Sequence, residues 1–236
     1  MSLNMDEYIY EIESKELLVY RSVYAPVKSN MYTILSGKKA AVFDPNINEE
    51  LLLLFKEKGI EKVYILLTHG HYDHISGVEW LKQKTGAQIF CQSKCADRIA
   101  NSKRPLARLV AFVLSEEDRK DGGHRYQDFK ESYKPFSIKA DSFFEKNKQL
   151  NIGELDFHVF STPGHSEDSS CYMLFNKMVF TGDTLLQDFP AILKFPGGNK
   201  EDYEKISLPF LKSLSKDTII MPGHGDPFIL KDTKIV

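Results

Sequence analysis

His69-Gly70-His71-Tyr72-Asp73-His74 packs three imidazoles and one carboxylate into six residues. These are donor types for a borderline divalent metal such as zinc. The stretch before it, Val63-Tyr64-Ile65-Leu66-Leu67-Thr68, is a continuous apolar run of the kind that forms a strand buried on both faces. A rigid strand end that hands over to a donor-rich loop is how a site becomes preorganised. In extended backbone His69 and His71 project to the same side and can chelate one ion. A turn at Tyr72 would aim Asp73 and His74 at another.

The rest of the chain supplies matching donors. His165 lies in Thr162-Pro163-Gly164-His165-Ser166, Asp183 in Phe180-Thr181-Gly182-Asp183-Thr184, and His224 in Met221-Pro222-Gly223-His224-Gly225. Each follows a glycine just past an expected strand. Loops gathered at one rim of a sheet sandwich converge on a single cleft. Five of the seven histidines fall in this pattern. His158 reads as a strand residue, and His124 as a loop residue beside Gly122-Gly123.

Around these donors the sequence predicts strands over 8–12, 17–23, 30–35 and 40–44, then a helix over 48–58 ended by Gly59. The apolar strand 63–68 is followed by a helix over 76–84 and a strand over 88–91. Residues 92–140 change character and read as a mostly helical excursion. One helix is expected there, over the apolar 106–114, serving either as packing or as a lid. Lys103, Arg104, Arg108, Arg119 and Lys120 read as a solvated face. Strands return over 155–160, a hairpin over 171–181, a helix over 200–214 and a last strand over 218–221. Strands at both ends with helices between them predict two sheets faced by helices, in a single domain spanning 1–236.

Composition excludes several classes. The 236 residues carry 31 Lys+Arg against 33 Asp+Glu, a formal charge of −2, too neutral for a general nucleic-acid binder. No apolar run approaches the roughly 20 residues needed to span a bilayer. The start, Met1-Ser2-Leu3-Asn4-Met5-Asp6, has no basic region followed by an apolar stretch, so a cytoplasmic location is expected. Cys91, Cys95 and Cys171 lack the pairing of a thiolate zinc knuckle and read as packed thiols. The expected partner is a small-molecule substrate, without nucleic acid or membrane.

The ordered set of His-x-His-x-Asp-His, a histidine after Thr-Pro-Gly, an aspartate after Thr-Gly and a late Gly-His resembles the metallo-β-lactamase fold superfamily. The resemblance covers nearly the whole chain. It implies a four-layer αββα sandwich, of class α/β, with two metal ions at one edge. By position, His69, His71 and His165 would hold one ion, Asp73, His74 and His224 the second, and Asp183 would bridge them. Zinc is expected, with iron or manganese suited to the same donors. Phe180-Thr181-Gly182-Asp183-Thr184-Leu185-Leu186 and Phe195-Pro196-Gly197-Gly198 look most like the glyoxalase II branch, the hydroxyacylglutathione thioesterases. Two features depart from that branch: only twelve residues follow His224, and Asp168 stands where glycine is usual. The resemblance implies a binuclear metallo-hydrolase in which a metal-bridging hydroxide, oriented by the catalytic Asp73, attacks a thioester, ester or lactone. Two other readings are a non-haem iron oxidoreductase similar to the persulfide dioxygenases, and a metal-bearing sensor domain.

Overall fold

Alternation along the central strands sets the layers. The computed structural model describes residues 5–12, 14–187 and 189–234. Seven strands form the first sheet in sequence order: β1 (Asp6–Ile12), β2 (Lys15–Tyr24), β3 (Ser29–Ser36), β4 (Lys39–Phe43), β5 (Lys62–Leu66), β6 (Gln88–Gln92) and β7 (Ser142–Phe144). The pairs from β1 to β4 are antiparallel, and those from β4 to β7 are parallel. Six strands form the second sheet: β8 (Asn147–Ile152), β9 (Leu155–Ser161), β10 (Ser170–Leu174), β11 (Met178–Gly182), β12 (Ile219–Pro222) and β13 (Phe228–Ile229).

On β4, Ala40 and Val42 face one cluster, while Ala41 and Phe43 face another. This is the two-residue period of a pleated strand buried on both sides. The first cluster lies under α1 (Glu49–Glu57), α3 (Val78–Thr85) and α4 (Ser93–Ile99), through Leu51, Leu54, Val78, Leu81, Cys95 and Ile99. The second fills the space between the sheets, where Phe43 stacks on Phe180 at 3.8 Å and meets Phe157 and Tyr172 edge-on. A third covers the outer face of the second sheet, where Cys171, Val179 and Ile220 meet Tyr203 and Leu211. The helical segment responsible runs α7 (Lys200–Asp202), a π turn at Tyr203–Ser207 and α8 (Leu208–Ser213). Helix, sheet, sheet and helix make the expected αββα sandwich.

Most expected elements form with boundary shifts of one or two residues. Asn48 caps α1 by accepting from Glu50 N at 2.9 Å, which explains why that helix begins there. The 92–140 stretch is richer than expected. The single helix over 106–114 extends to α5 (Ala107–Asp121), and α4 and α6 (Arg125–Ser132) flank it. Because α4 buries Cys95 and Ile99 in the first core, residues 93–99 belong to the scaffold. Helices α5 and α6 form their own small cluster of Val110, Leu114 and Phe129. Strands β7, β8 and β13 are unanticipated: two are very short, and Asn147–Ile152 is a mostly exposed edge strand with little apolar pattern.

Candidate metal centre

Four strand ends deliver the donors. His69 and His71 lie between the end of β5 and the short helix α2 (Tyr72–Ile75), which carries Asp73 and His74. His165 follows β9, Asp183 follows β11 and His224 follows β12. The glycines before the last two donors are required by close packing. Gly182 has φ +49, and a Cβ there would run into the Thr68 side chain; a Cβ on Gly223 would strike Asp183 Oδ1 and the His74 ring.

The donors gather in two neighbouring groups. Within His69, His71 and His165, and again within Asp73, His74 and His224, the offered ligand atoms lie within 4.8 Å of one another. His71 Nδ1 is 3.1 Å from His69 Nε2 and 3.0 Å from His165 Nε2. Asp183 spans the groups, with carboxylate oxygens 3.4 Å from His74 Nε2, 3.5 Å from His165 Nε2 and 3.6 Å from His224 Nε2. His224 Nε2 is also 3.3 Å from Asp73 Oδ2.

Proton accounting shows what this centre demands. The hydroxyl of Thr68 donates to Asp44 Oδ2 at 2.5 Å, so its contact with His69 Nδ1, at 3.1 Å, is one in which His69 donates. His165 Nδ1 donates to the Ile192 carbonyl at 2.9 Å, and His74 Nδ1 donates to Asp44 Oδ2 at 2.9 Å. Each neutral ring therefore turns a bare Nε2 lone pair inward. A proton on His71 Nδ1 could serve only one of its two facing lone pairs. His74 Nε2 and Asp183 Oδ1 are buried 3.4 Å apart and form no hydrogen bond, which polar groups tolerate poorly. Lone pairs and carboxylates converging on a common space fit divalent cations, and borderline metals accept this imidazole and carboxylate set.

The electrostatics agree. Burial, reinforced by the neighbouring His74 and His71, holds the His69 pKa well below its usual value, and burial with His165 beside it lowers His71 to about 3. Burial would also lower His74, but Asp73 and Asp183 outweigh it and hold that ring well above the usual range. Burial would raise Asp183, but His224 and His74 outweigh it and keep it ionised. Asp73 and Asp183 thus draw positive charge to the space that the His74 ring faces.

Three holding residues escaped the sequence reading. Asp44 has a left-handed φ of +48, a region that aspartate visits more readily than most residues. It accepts from Thr68 N and Oγ1 and from His74. Asp44 also lies within reach of His69 and His74 as a third acidic group, but both of its oxygens are already engaged. Asp168, noticed only as a departure from glycine, accepts from Gly70 N at 2.8 Å and from Arg98 Nε at 3.1 Å, all buried. It thereby anchors the loop between His69 and His71. A carboxylate ending an apolar strand before a proline was the available signal for Asp44; Arg98, inside a polar stretch, offered none.

A seam between the sheets closes the last donor loop. Asn30 N donates to the Gly223 carbonyl, and Asn30 Nδ2 donates to the carbonyls of Pro222 and Gly225. Tyr72 packs edge-on against Phe129 and Tyr133. Cys171 is buried, its thiol pushed up to about 12 by desolvation. His158 lies on β9 and His124 precedes α6, both apart from the donor groups. Arg104 departs from a purely solvated role, pairing with Glu167 at 3.4 Å. His71, Asp73, Asp183 and His224 border a cavity of about 470 Å³. Among the described residues, no helix is long and apolar enough to cross a membrane.

Comparison with known proteins places this architecture. The metallo-beta-lactamase superfamily model matches residues 24–224. The chain is 28% identical over 207 residues to the "Probable metallo-hydrolase YqgX" of Bacillus subtilis, covering 87% of this chain and 89% of that protein. It is 28% identical over 191 residues to the hydroxyacylglutathione hydrolase GloC of Haemophilus influenzae, covering 80% and 81% respectively. Among solved structures, the BLEG-1 B3 metallo-beta-lactamase superposes with a TM-score of 0.67 at 26% identity, over 91% of this chain and 95% of that one. ETHE1 from Myxococcus xanthus shares the fold with a TM-score of 0.63 at 21% identity, over 91% and 80%. With a family match over most of its length, a shared fold and related hydrolases, the chain belongs to the metallo-beta-lactamase superfamily, whose members use metal ions.

Proposed function

We propose that the chain is a binuclear metallo-hydrolase that cleaves an acyl–sulfur or acyl–oxygen bond, with thioesters ranked first. His69 Nε2, His71 Nδ1 and His165 Nε2 would hold one ion, Asp73, His74 and His224 the other, and Asp183 both. Zinc is the leading candidate. The carrying observation is that hydrogen bonds to Thr68, Asp44 and Ile192 fix the rings of His69, His74 and His165 with their lone pairs inward. The related hydroxyacylglutathione hydrolase supports a thioester.

When bound, the ions supply Lewis acidity to a carbonyl oxygen and a water acidic enough to ionise near neutral pH. The residues do the rest. Burial would raise the Asp73 carboxyl, but His74 and His224 outweigh it and keep it ionised, so its oxygen can accept a hydrogen bond from water and aim that water's lone pair at the acyl carbon. Asp44 and Asp168 hold the His74 ring and the Gly70 backbone, fixing that aim. His224, with its side chain 27% exposed, stands at the mouth where substrate enters. A thiol with a pKa near 8.5 leaves as an anion more readily than an alcohol, so thioesters need the least proton donation. Helices α5 and α6 act as a cover within a single catalytic domain.

The test pairs elemental analysis of the purified protein with turnover of hydroxyacylglutathione, simple thioesters, esters and lactones. Two ions per chain and thioester cleavage are expected. Oxygen consumption with a persulfide in place of hydrolysis would transfer the chain to the iron oxidoreductases, for which the same donors serve. Bound metal with neither activity would point to a sensor.

A further inference from the structure

The cavity beside the donors has two unlike ends. Its polar end is His71, Asp73, Asp183 and His224, and its other walls are apolar. One wall is the stripe Leu106, Leu109, Val110 and Val113, spaced i, i+3, i+4, i+7 as on one face of a helix. A second segment contributes Phe189, Ile192 and Phe195. Phe189 is 68% exposed, Ile192 48% and Val113 37%. Apolar side chains left in water on two segments that face one opening mark a surface made for an apolar ligand. The volume falls within the usual range for small-molecule sites, about 300–1,000 Å³.

Both walls are registered to the donors through the backbone. Tyr72 N donates to the Pro105 carbonyl at 2.8 Å, next to Leu106, whose φ of +62 is left-handed. The other wall accepts from His165 Nδ1 at the carbonyl of Ile192. Among the described residues lining the chamber there is no lysine or arginine. Arg98 and Arg104 are engaged by Asp168 and Glu167, and Arg108 and Lys194, on the two wall segments, are exposed and do not line the chamber.

Resting on the hydrolase reading above, we propose that this chamber selects thioesters or esters whose acyl group is an apolar chain of several carbons. Cleavage joins the oxygen of water to the acyl carbon and breaks the carbon–sulfur or ester carbon–oxygen bond, with its electron pair on the leaving atom. One water proton ends on the departing thiol or alcohol, and the other is released as the acid product ionises. Negative charge grows on the leaving atom, and an apolar wall would penalise it. The leaving group therefore points to solvent and the acyl chain fills the chamber. A carrier as polar and charged as glutathione finds no cationic partner inside.

The experiment compares kcat/KM for N-acetylcysteamine thioesters, and the matching ethyl esters, from acetyl to decanoyl on the metal-loaded protein. Each fully buried methylene is worth about fourfold, so the four extra methylenes of octanoyl allow up to roughly 250-fold over butanoyl, and at least about twentyfold is expected in one series or both. Val113→Asp and Phe189→Asp, one on each wall, should cut that ratio at least tenfold with metal stoichiometry and thermal melt at the wild-type values. Active enzyme with octanoyl and butanoyl within threefold overturns the chamber and leaves the hydrolase reading standing. So does preference for the acetyl thioester of octanethiol, or a ratio that neither variant moves. If no carbonyl compound is cleaved, the hydrolase reading fails, and calorimetry decides the chamber by itself. Octanamide should bind at least tenfold more tightly than butanamide, and equal affinity overturns the proposal.

Discussion

The donor rim and the α5–α6 overhang are built on opposite rules. On the rim, the polar groups are buried and their orientation is fixed by neighbours: Thr68 and Asp44 behind His69 and His74, the Ile192 carbonyl behind His165, and Asp168 behind Gly70. On the overhang, apolar groups stand in water and a small cluster of three buried residues ties two helices together. Chemistry that depends on sub-ångström placement is held by hydrogen bonds and burial. Selection of an apolar group needs only shape and dryness, and a lightly anchored helix can provide both.

The strongest way to break this contrast is at the rim. His69→Ala and His165→Ala should each lose the ion held by that triad and abolish hydrolysis, while leaving α5 in place. Equilibrium dialysis with elemental analysis checks it; unchanged stoichiometry in both variants would strike these residues from the donor set. Next comes Asp183→Asn, which keeps size and one oxygen but removes the charge set between two cations about 3.5–4 Å apart. Two-ion affinity should fall more steeply than one-ion affinity across a metal titration, because the cations then repel without a neutralising group. A variant that still takes up both ions as tightly as wild type would show that Asp183 is not shared.

A third test removes a holding group from behind the donors. Arg98→Met leaves Asp168 charged and buried without its partner, a loss of about 3–5 kcal/mol to be read by denaturant unfolding. Burial would raise the Asp168 carboxyl, but Arg98 outweighs it and holds it below the ordinary value. Its contribution is therefore complete above the unfolded pKa near 3.9 and is lost as pH falls through the lower folded value. The stability gap between wild type and Asp168→Asn should shrink below about pH 4; a gap independent of pH would disprove the ion pair. The smallest effects belong to the overhang. Leu114→Ala, in the cluster of α5 and α6, should cost about 2–5 kcal/mol, whereas Phe112→Ser, 62% exposed two residues away on the opposite face of the helix, should change stability by no more than about 0.5 kcal/mol. Equal costs would mean that α5 is packed on both faces.

What the sequence made legible follows the same division. The donors could be read because four are crowded into residues 69–74 just past an apolar strand and the other three each follow a glycine at a strand end, and strand ends show in apolar runs such as 63–68. Asp44 and Arg98 could not be read, because their roles come from partners 24 to 70 residues away and no local pattern marks a holding residue. The helix at 106–114 was visible as an apolar stretch, but its apolar stripe serves two masters. Val110 contributes to both the cluster and the chamber, and periodicity by itself cannot divide packing from binding. β8 was missed because an exposed edge strand carries too little apolar alternation to register.

The seam between Asn30 and the loop of Pro222, Gly223 and Gly225 sets an order in time. Its side-chain hydrogen bonds join residues 192 and 195 positions apart, and contacts of such separation are late in folding because the chain must first close the loop between them. The triad of His69, His71 and His165 can assemble once β5 and β9 have docked. The group containing His224 must wait for β12 and the seam. On the two-ion reading proposed above, cation capture would be staged, with the second ion acting as a latch on the finished molecule. Because a ligand that binds only the native state stabilises it by mass action, chelation should lower the melting temperature and lift hydrogen-exchange protection first around residues 29–32 and 219–225. The core around Phe43 and Phe180 should open last.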